Sequence, residues 1–211
     1  MTVCSEKRYI FASGTTDESV SDTVEQYDLR SLIKTNASWQ RLPDLCTGRA
    51  YHASCCIGNS LYILCGRNRL GPLSSIERLH HLSDQTKWEN INLQESFSIY
   101  GMQAAQVSRT EILLCGGFSL ESTMNEMHVF DLHKQTMRKV AQENQHSIWP
   151  AYFPCCSIRN GRGTESSHSL TLVLTVDYSS KNVLEYDHGT QIVRVIAELP
   201  QDDPEDDDDS Y

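Results

Sequence analysis

Short apolar segments that end in a glycine, serine or threonine recur along the chain. Residues 9–15 read YIFASGT, residues 61–67 read LYILCGR and residues 111–118 read EILLCGGF. Runs of this length bounded by turn residues predict buried β-strands that end in tight turns. Glycine suits such a turn because it adopts positive φ without steric cost. Tyr9 superposes on Tyr62 and Tyr62 on Ile112, with offsets of 53 and 50 residues, which predicts an internal repeat.

The residues around these strands also repeat. A further strand precedes each one, and two more strands follow it after a polar loop, the last of them carrying Trp39, Trp88 or Met137. The preceding strands read HASCCI at 52–57, MQAAQV at 102–107 and FPCCSI at 153–158, and the following ones TVEQYDL at 23–29, SIERLHHL at 75–82 and EMHVFDL at 126–132. Residues 170–199 supply a fourth, weaker copy. Each unit is therefore predicted to contain four strands.

These features resemble kelch repeats, each of which forms one blade of a β-propeller. The resemblance rests on four features: the period of about 50 residues, the apolar strand that ends at a glycine (called the glycine stop below), the later Tyr-Asp-Leu and the Trp. Residues 42–66 are similar to the kelch junction, in which an outer strand leads through Arg and His into the next inner strand. The resemblance implies an all-β, kelch-type β-propeller of four four-stranded antiparallel blades, at approximately residues 1–45, 46–95, 96–145 and 146–199.

Four blades lie at the lower end of the propeller range, and we expect an open or incomplete ring. Neither end of the sequence offers an extra strand to join the first and last blades. The chain is then part of a larger propeller, or an open arc whose blade edges self-associate with another copy. In the open arc, Phe11 and Leu172 would be more exposed than their counterparts in the middle blades.

Composition narrows the classes of partner. The net charge of −10 argues against a nucleic-acid partner, because that binding depends on clustered Lys and Arg. No apolar run is long enough to span a membrane, and MTVCSEKR lacks a signal-peptide core, so we expect a cytoplasmic or nuclear protein. Residues 200–211 read PQDDPEDDDDSY and are predicted to be a disordered acidic tail.

The eight cysteines are predicted to be free thiols in a reducing compartment. Cys55-Cys56 and Cys155-Cys156 lie 100 residues apart in the same predicted inner strand, and Cys65 and Cys115 match across neighbouring repeats. Recurrence at one repeat position indicates a small buried side chain. Adjacent cysteines alternate sides of a strand, so neither pair holds one metal ion, and we predict no metal or other cofactor.

No arrangement of residues predicts catalysis. The sequence contains no nucleophile elbow and no carboxylate pair in a defined context, and the glycine pairs open strands rather than the helix that a phosphate-binding loop requires. We therefore predict that the chain is not an enzyme.

Recognition is expected on the loops at one face, before each inner strand and after each glycine stop. Interfaces favour Arg, Tyr and Trp as anchors, and Trp149 is the leading candidate because it lies outside the repeat's tryptophan position. The candidate partner-binding residues are Arg49, Tyr51, Arg67, Arg69, Tyr100, Phe118, Trp149 and Tyr152.

The resemblance implies a non-catalytic scaffold that binds a protein partner through these loops. Two alternatives stay open: a structural fragment of a longer kelch protein with no independent activity, and the substrate-receptor part of a ubiquitin-ligase complex. The second needs a partner chain, because no adaptor domain is recognisable in the sequence. The partner itself is not predicted.

Overall fold

A computed structural model describes residues 2–4, 9–16, 19–31, 38–80, 87–91, 93, 97–124, 126–142, 157–159, 171–173, 182–187 and 189–198. Within these ranges the chain is all-β, apart from one turn of 3-10 helix at Leu29–Ser31. A search of the same residues for helices long and apolar enough to cross a membrane finds none.

Three four-stranded antiparallel sheets follow one another along the chain. The first sheet contains β1 (Thr2–Cys4), β2 (Tyr9–Thr16), β3 (Ser19–Asp28) and β4 (Gln40–Arg41). The second contains β5 (Ala53–Ile57), β6 (Ser60–Leu64), β9 (Ile76–His80) and β10 (Glu89–Ile91), and a separate small hairpin of β7 (Arg67–Asn68) and β8 (Gly71–Pro72) lies between β6 and β9 in the chain. The third contains β11 (Gln103–Gln106), β12 (Glu111–Cys115), β13 (Met127–Asp131) and β14 (Thr136–Lys139). The first strands β1, β5 and β11 contact one another in turn, so they form the inner side of a partial β-propeller, as predicted.

The described part of the last quarter is also β-structure. It contains β15 (Ala141–Gln142), β16 (Ser157–Arg159), β17 (Thr171–Val173), β18 (Asn182–Asp187) and β19 (Ile192–Glu198). β16 pairs with β17 and β18 with β19, both antiparallel, and β15 adds to β19 in parallel. Residues 143–156, 160–170, 174–181 and 188 lie outside the described residues, so the predicted fourth blade is described only in part.

The core lies between successive sheets. Because neighbouring side chains on a strand point to opposite faces, Leu61 and Ile63 pack towards the first sheet, whereas Tyr62 and Leu64 pack towards the third. A third cluster joins the third sheet to β18 and β19. All five positions of β6 are buried, which explains why the sequence here is a continuous apolar run without alternation. Phe11 and Leu172 lie outside the described side chains, so the comparison predicted for the outer blades stays a prediction.

The strand pairings correct the repeat offset. Leu64 pairs with Ile76 in the second sheet and Cys115 with Met127 in the third, so equivalent residues of the second and third strands of these sheets lie 51 positions apart, whereas the inner strands keep the offset of 50. In the first sheet Ser13 pairs with Val24, so their counterparts Leu64 and Ile76 lie 51 and 52 positions further along the chain. A slip of one residue would move every side chain to the wrong face of its strand.

The predicted equivalence of Cys65 and Cys115 is therefore wrong. Cys115 is the counterpart of Leu64 and packs from β12 towards β18 and β19, whereas Cys65 lies in the turn after β6. Both thiols are free and buried, as is Cys55, while Cys56 is partly buried and Cys46 is exposed. Burial raises the pKa of Cys65 to about 12, so it stays protonated at neutral pH. Cys155 and Cys156 lie outside the described residues.

The glycine stop results from a close backbone approach. Cys65 and Gly66 both have positive φ, 53° and 92°, and Gly116 and Gly117 repeat this turn with 62° and 106°. A Cβ at Gly66 would lie 2.7 Å from the carbonyl oxygen of Ala50, which precedes the inner strand. Only glycine fits the second position of this turn.

A buried ion pair fixes the connection between the first and second sheets. Arg49 and Glu77 have fully buried side chains, with Nη2 of Arg49 2.5 Å from Oε1 of Glu77. The Arg49 Nη1 also donates to the carbonyl oxygens of Cys65 and Ser75, at 2.8 and 2.9 Å. The prediction that Arg49 anchors a partner is wrong, because its guanidinium is used entirely inside the chain.

The Glu77 carboxylate is also hydrogen-bonded entirely within the chain. Its carboxylate accepts hydrogen bonds from the backbone N–H groups of Cys46 and Thr47, at 2.7 and 3.1 Å, in addition to Arg49. Buried charges are tolerated only when they are paired and hydrogen-bonded, and both conditions hold here. We call this arrangement the connection clamp: Glu77 and Arg49 with residues 46–49.

The next repeat has no such clamp. Ile99, just before the Tyr100–Phe118 bridge, takes the place of Arg49, and His128, opposite Leu114, takes the place of Glu77. Ile99 is buried, and the His128 ring meets the Phe97 ring edge-on with 4.7 Å between centroids. Apolar and aromatic packing therefore replaces the ion pair at the equivalent junction.

We expect Gly66→Ala to lower the free energy of unfolding by about 3 kcal/mol, the sum of left-handed strain and a clash with the Ala50 carbonyl. Gly58→Ala is the matched control, because Gly58 has a φ of 55° and open space around its Cβ position. The control should cost only about 1 kcal/mol. Urea unfolding measures both, and equal losses would contradict the close-approach explanation.

We expect Arg49→Met to lower the free energy of unfolding by about 3–5 kcal/mol, because it leaves the buried Glu77 carboxylate without a counter-charge. The double variant Arg49→Met/Glu77→Gln keeps an acceptor for the N–H groups of residues 46 and 47 but removes the buried charge. It should be more stable than Arg49→Met alone. A double variant that is no more stable than the single one in chemical denaturation would refute this account.

Candidate protein-binding face

In the second and third sheets, the loop before the inner strand pairs with the loop after the second strand. Ala50 and Arg67 exchange backbone hydrogen bonds of 2.9 and 2.8 Å. Tyr100 and Phe118 do the same at 3.0 and 2.7 Å. These bridges bring together, at one end of the strands, the two kinds of loop from which the binding face was predicted.

Four side chains from these loops form a surface that we call the face cluster: Tyr51, Arg67, Tyr100 and Phe118. The Tyr100 ring lies at its centre, 6.4 Å from the Tyr51 ring and 5.5 Å from the Phe118 ring, measured between centroids. The Arg67 guanidinium carbon lies 5.0 Å from the Tyr100 centroid, within cation–π range. The second and third sheets therefore contribute to one continuous aromatic and basic surface.

Tyr51 has an uncommon backbone conformation. Its φ is 52°, in the left-handed region that bulky side chains rarely adopt. The equivalent position in the next repeat is Gly101, with a φ of 72°, and its N–H donates to the Tyr51 carbonyl at 2.7 Å. A tyrosine therefore occupies a site suited to glycine, at a cost of about 1–2 kcal/mol, while its side chain remains 52% exposed.

Two exposed leucines extend the surface. Leu70 is 96% exposed in the loop that carries Arg67, and Leu120 is 81% exposed in the loop that carries Phe118. Single exposed apolar residues are common, but these two occur shortly after the glycine stops of neighbouring repeats. Apolar tips thus flank the face cluster on both contributing loops.

Comparison with known families identifies the fold unit that carries this face. A family model described as the Kelch motif matches residues 48–91, which include Arg49, Tyr51, Arg67 and the whole second sheet. The second sheet and the end of the connection before it thus match a kelch motif. The match covers about a fifth of the chain and confirms the resemblance found in the sequence. A search of curated proteins finds no match. A kelch motif is generally associated with protein-interaction scaffolds, and kelch repeats are typically non-catalytic.

The predicted partner-binding residues fall into three groups. Tyr51, Arg67, Tyr100 and Phe118 converge in the face cluster, and Arg69 is exposed in the Arg67 loop. Arg49 is buried in the connection clamp. Trp149 and Tyr152 lie outside the described residues. The prediction missed Leu70 and Leu120, although the recurrence of Leu after LCGRNR and CGGFS was a usable signal.

A partly buried histidine, His52, follows Tyr51 in the chain and joins the first two sheets. The Nε2 atom of His52 lies 2.8 Å from Oγ of Ser13, at hydrogen-bond distance. Burial, and secondarily the positive charge of Arg49, lower the pKa of His52 to about 4, so the imidazole is neutral at pH 7. In the described part of the chain, no group of three or more His, Cys, Asp or Glu side chains could hold a metal ion.

We expect His52 to make folding stability fall with acid. Its pKa is about 4 in the folded state against an ordinary 6.5, so the unfolded chain takes up the proton first. Stability that is complete above about pH 6.5 is lost as the pH falls towards 4, by at most about 3 kcal/mol.

Urea unfolding at pH 7.5 and pH 5 tests this. His52→Gln should show a smaller loss between the two pH values than the wild type. His133→Gln, at an exposed turn, is the control and should keep the wild-type loss. Identical pH dependence in the two variants would be evidence against the assignment.

Proposed function

We propose that the chain is a non-catalytic protein-interaction scaffold whose partner binds the face cluster. One observation carries the proposal: Tyr51 is both strained and exposed. Residues held in sparsely populated backbone conformations cluster at functional sites, and this one lies within the face cluster. The kelch match independently favours a scaffold role.

The chemistry of the face cluster suits a protein partner. Tyr51 and Tyr100 combine a large apolar ring with a hydroxyl, and such residues dominate binding energy at interfaces. Arg67 is held over Tyr100, so fewer of its rotamers must be lost when it donates hydrogen bonds to a partner. Leu70 and Leu120 supply apolar area at the edges.

The cellular environment forms part of the same proposal. Cys55, Cys65 and Cys115 are free thiols buried between the sheets. Free thiols in this number suit a reducing compartment such as the cytoplasm or nucleus.

We expect Tyr51→Gly to weaken partner binding without weakening the fold. Glycine adopts a φ of 52° without strain, so the free energy of unfolding should stay constant or rise by up to about 1 kcal/mol. Loss of the exposed ring should reduce binding at least about five-fold, since a tyrosine that anchors an interface contributes more than about 1 kcal/mol. Urea unfolding measures stability, and quantitative mass spectrometry of captured proteins measures binding.

Lys134→Ala is the matched control, because Lys134 is exposed in the turn at the opposite end of the strands. It should capture the same proteins as the wild type. The proposal fails if Tyr51→Gly captures the wild-type set in full, or if it loses both the set and the fold.

A further inference from the structure

The flank of the second sheet that faces the first sheet shows how a kelch connection is bound. Trp88 is only 5% exposed, and its Nε1 donates to the carbonyl oxygen of Pro43 at 2.8 Å. Leu45 packs in the same cluster as Trp88 and Leu79. Further along the connection, residues 46–49 are held by Glu77 in the connection clamp. Glu77, Leu79 and Trp88 together therefore bind the segment LPDLCTGR at 42–49.

The first sheet repeats these positions on its own outer flank. Glu25 pairs with Ala12 as Glu77 pairs with Ile63, so Glu25 is the counterpart of Glu77. By the same register Tyr27 and Trp39 correspond to Leu79 and Trp88, and their rings lie 5.4 Å apart. Val24 faces the second sheet, so Glu25 and Tyr27, with Trp39 against Tyr27, face away from it.

In the part of the chain that the structure describes, no segment covers this second set of residues as residues 42–49 cover Glu77, Leu79 and Trp88. Trp39 is 44% exposed where Trp88 is buried, and Glu25 is exposed where Glu77 is fully buried. The cross-strand neighbour of Glu25 is Arg41, whose Nη2 donates to Asp44 at 2.8 Å. The flank thus presents an aromatic pair, an indole N–H and a carboxylate.

We propose that this flank binds the connecting segment of a repeat from another kelch chain. The segment carries Leu-Pro after its outer strand and an Arg seven residues beyond the Leu, as Leu42-Pro43 and Arg49 do here. The carbonyl of its proline accepts from the Trp39 indole, and its guanidinium pairs with Glu25. The interface continues, one repeat earlier, the packing already present between the first and second sheets.

Charge selects this occupant over the chain's own C-terminal residues. Residues 199–206 read LPQDDPED, so they match the Leu-Pro but place Asp206 where the guanidinium belongs. A carboxylate there would be repelled by Glu25. The occupant is therefore a partner repeat with a basic residue at that position. This site is distinct from the face cluster, and the proposal does not rest on the proposed function.

The probe is a synthetic peptide with the sequence of residues 40–51 and Ser in place of Cys46. The readout is the indole N–H resonance of Trp39 in the full chain labelled with nitrogen-15, identified by its loss in Trp39→Phe. We expect a saturable shift with a dissociation constant near about 1 mM, as befits a short peptide without preorganisation. The Trp88 resonance, already covered within the chain, should not move.

A charge exchange separates specific from adventitious binding. Glu25→Arg should weaken binding at least about five-fold, and the same peptide carrying Arg49→Glu should recover it on that variant. Glu25 is exposed, so the variant should unfold like the wild type in urea. No shift of Trp39, no effect of Glu25→Arg, no recovery by charge exchange, or tighter binding of a peptide of residues 199–206 would each overturn the proposal.

Discussion

The buried ion pair between Arg49 and Glu77 is the contact on which the rest of the arrangement depends. It holds residues 46–49 against the second sheet through two backbone N–H groups, two carbonyls and the charge pair itself. The chain leaves this clamp directly into the Ala50–Arg67 bridge and then into Tyr51, which forms part of the face cluster. One desolvated interaction therefore fixes both the junction between sheets and the start of the candidate binding face.

The neighbouring repeat shows that the fold itself does not require an ion pair at this junction. Ile99 and His128 fill the same two positions by packing, in keeping with the general finding that buried ion pairs can be replaced by apolar residues without loss of stability. The clamp orients the backbone of residues 46–49, because a guanidinium and a carboxylate bind backbone groups at specific angles. The repeat that contains the clamp is also the one that carries the strained Tyr51 and matches the Kelch motif.

The binding face was predictable in part. Loop position and residue type were sufficient to nominate Tyr51, Arg67, Tyr100 and Phe118, because loops at one end of a propeller necessarily meet. Loop position and residue type were insufficient for Arg49. The side chain of an arginine beside a loop points inwards only if a buried hydrogen-bond acceptor lies within its reach. That acceptor, Glu77, lies 28 residues further along the chain and is visible only in the folded structure.

The sequence by itself determined the strands, the repeat and the equivalence of Trp39, Trp88 and Met137, because apolar runs and turn residues act over a few neighbouring positions. The tertiary structure alone decided the 51-residue register, since pairing depends on which side of each strand meets the next sheet. The tertiary structure also decided which of two equivalent residues is buried and which is exposed. Trp88 is buried and Trp39 exposed because a side chain's environment is set by the segment packed against it, and only Trp88 is covered by the preceding connection.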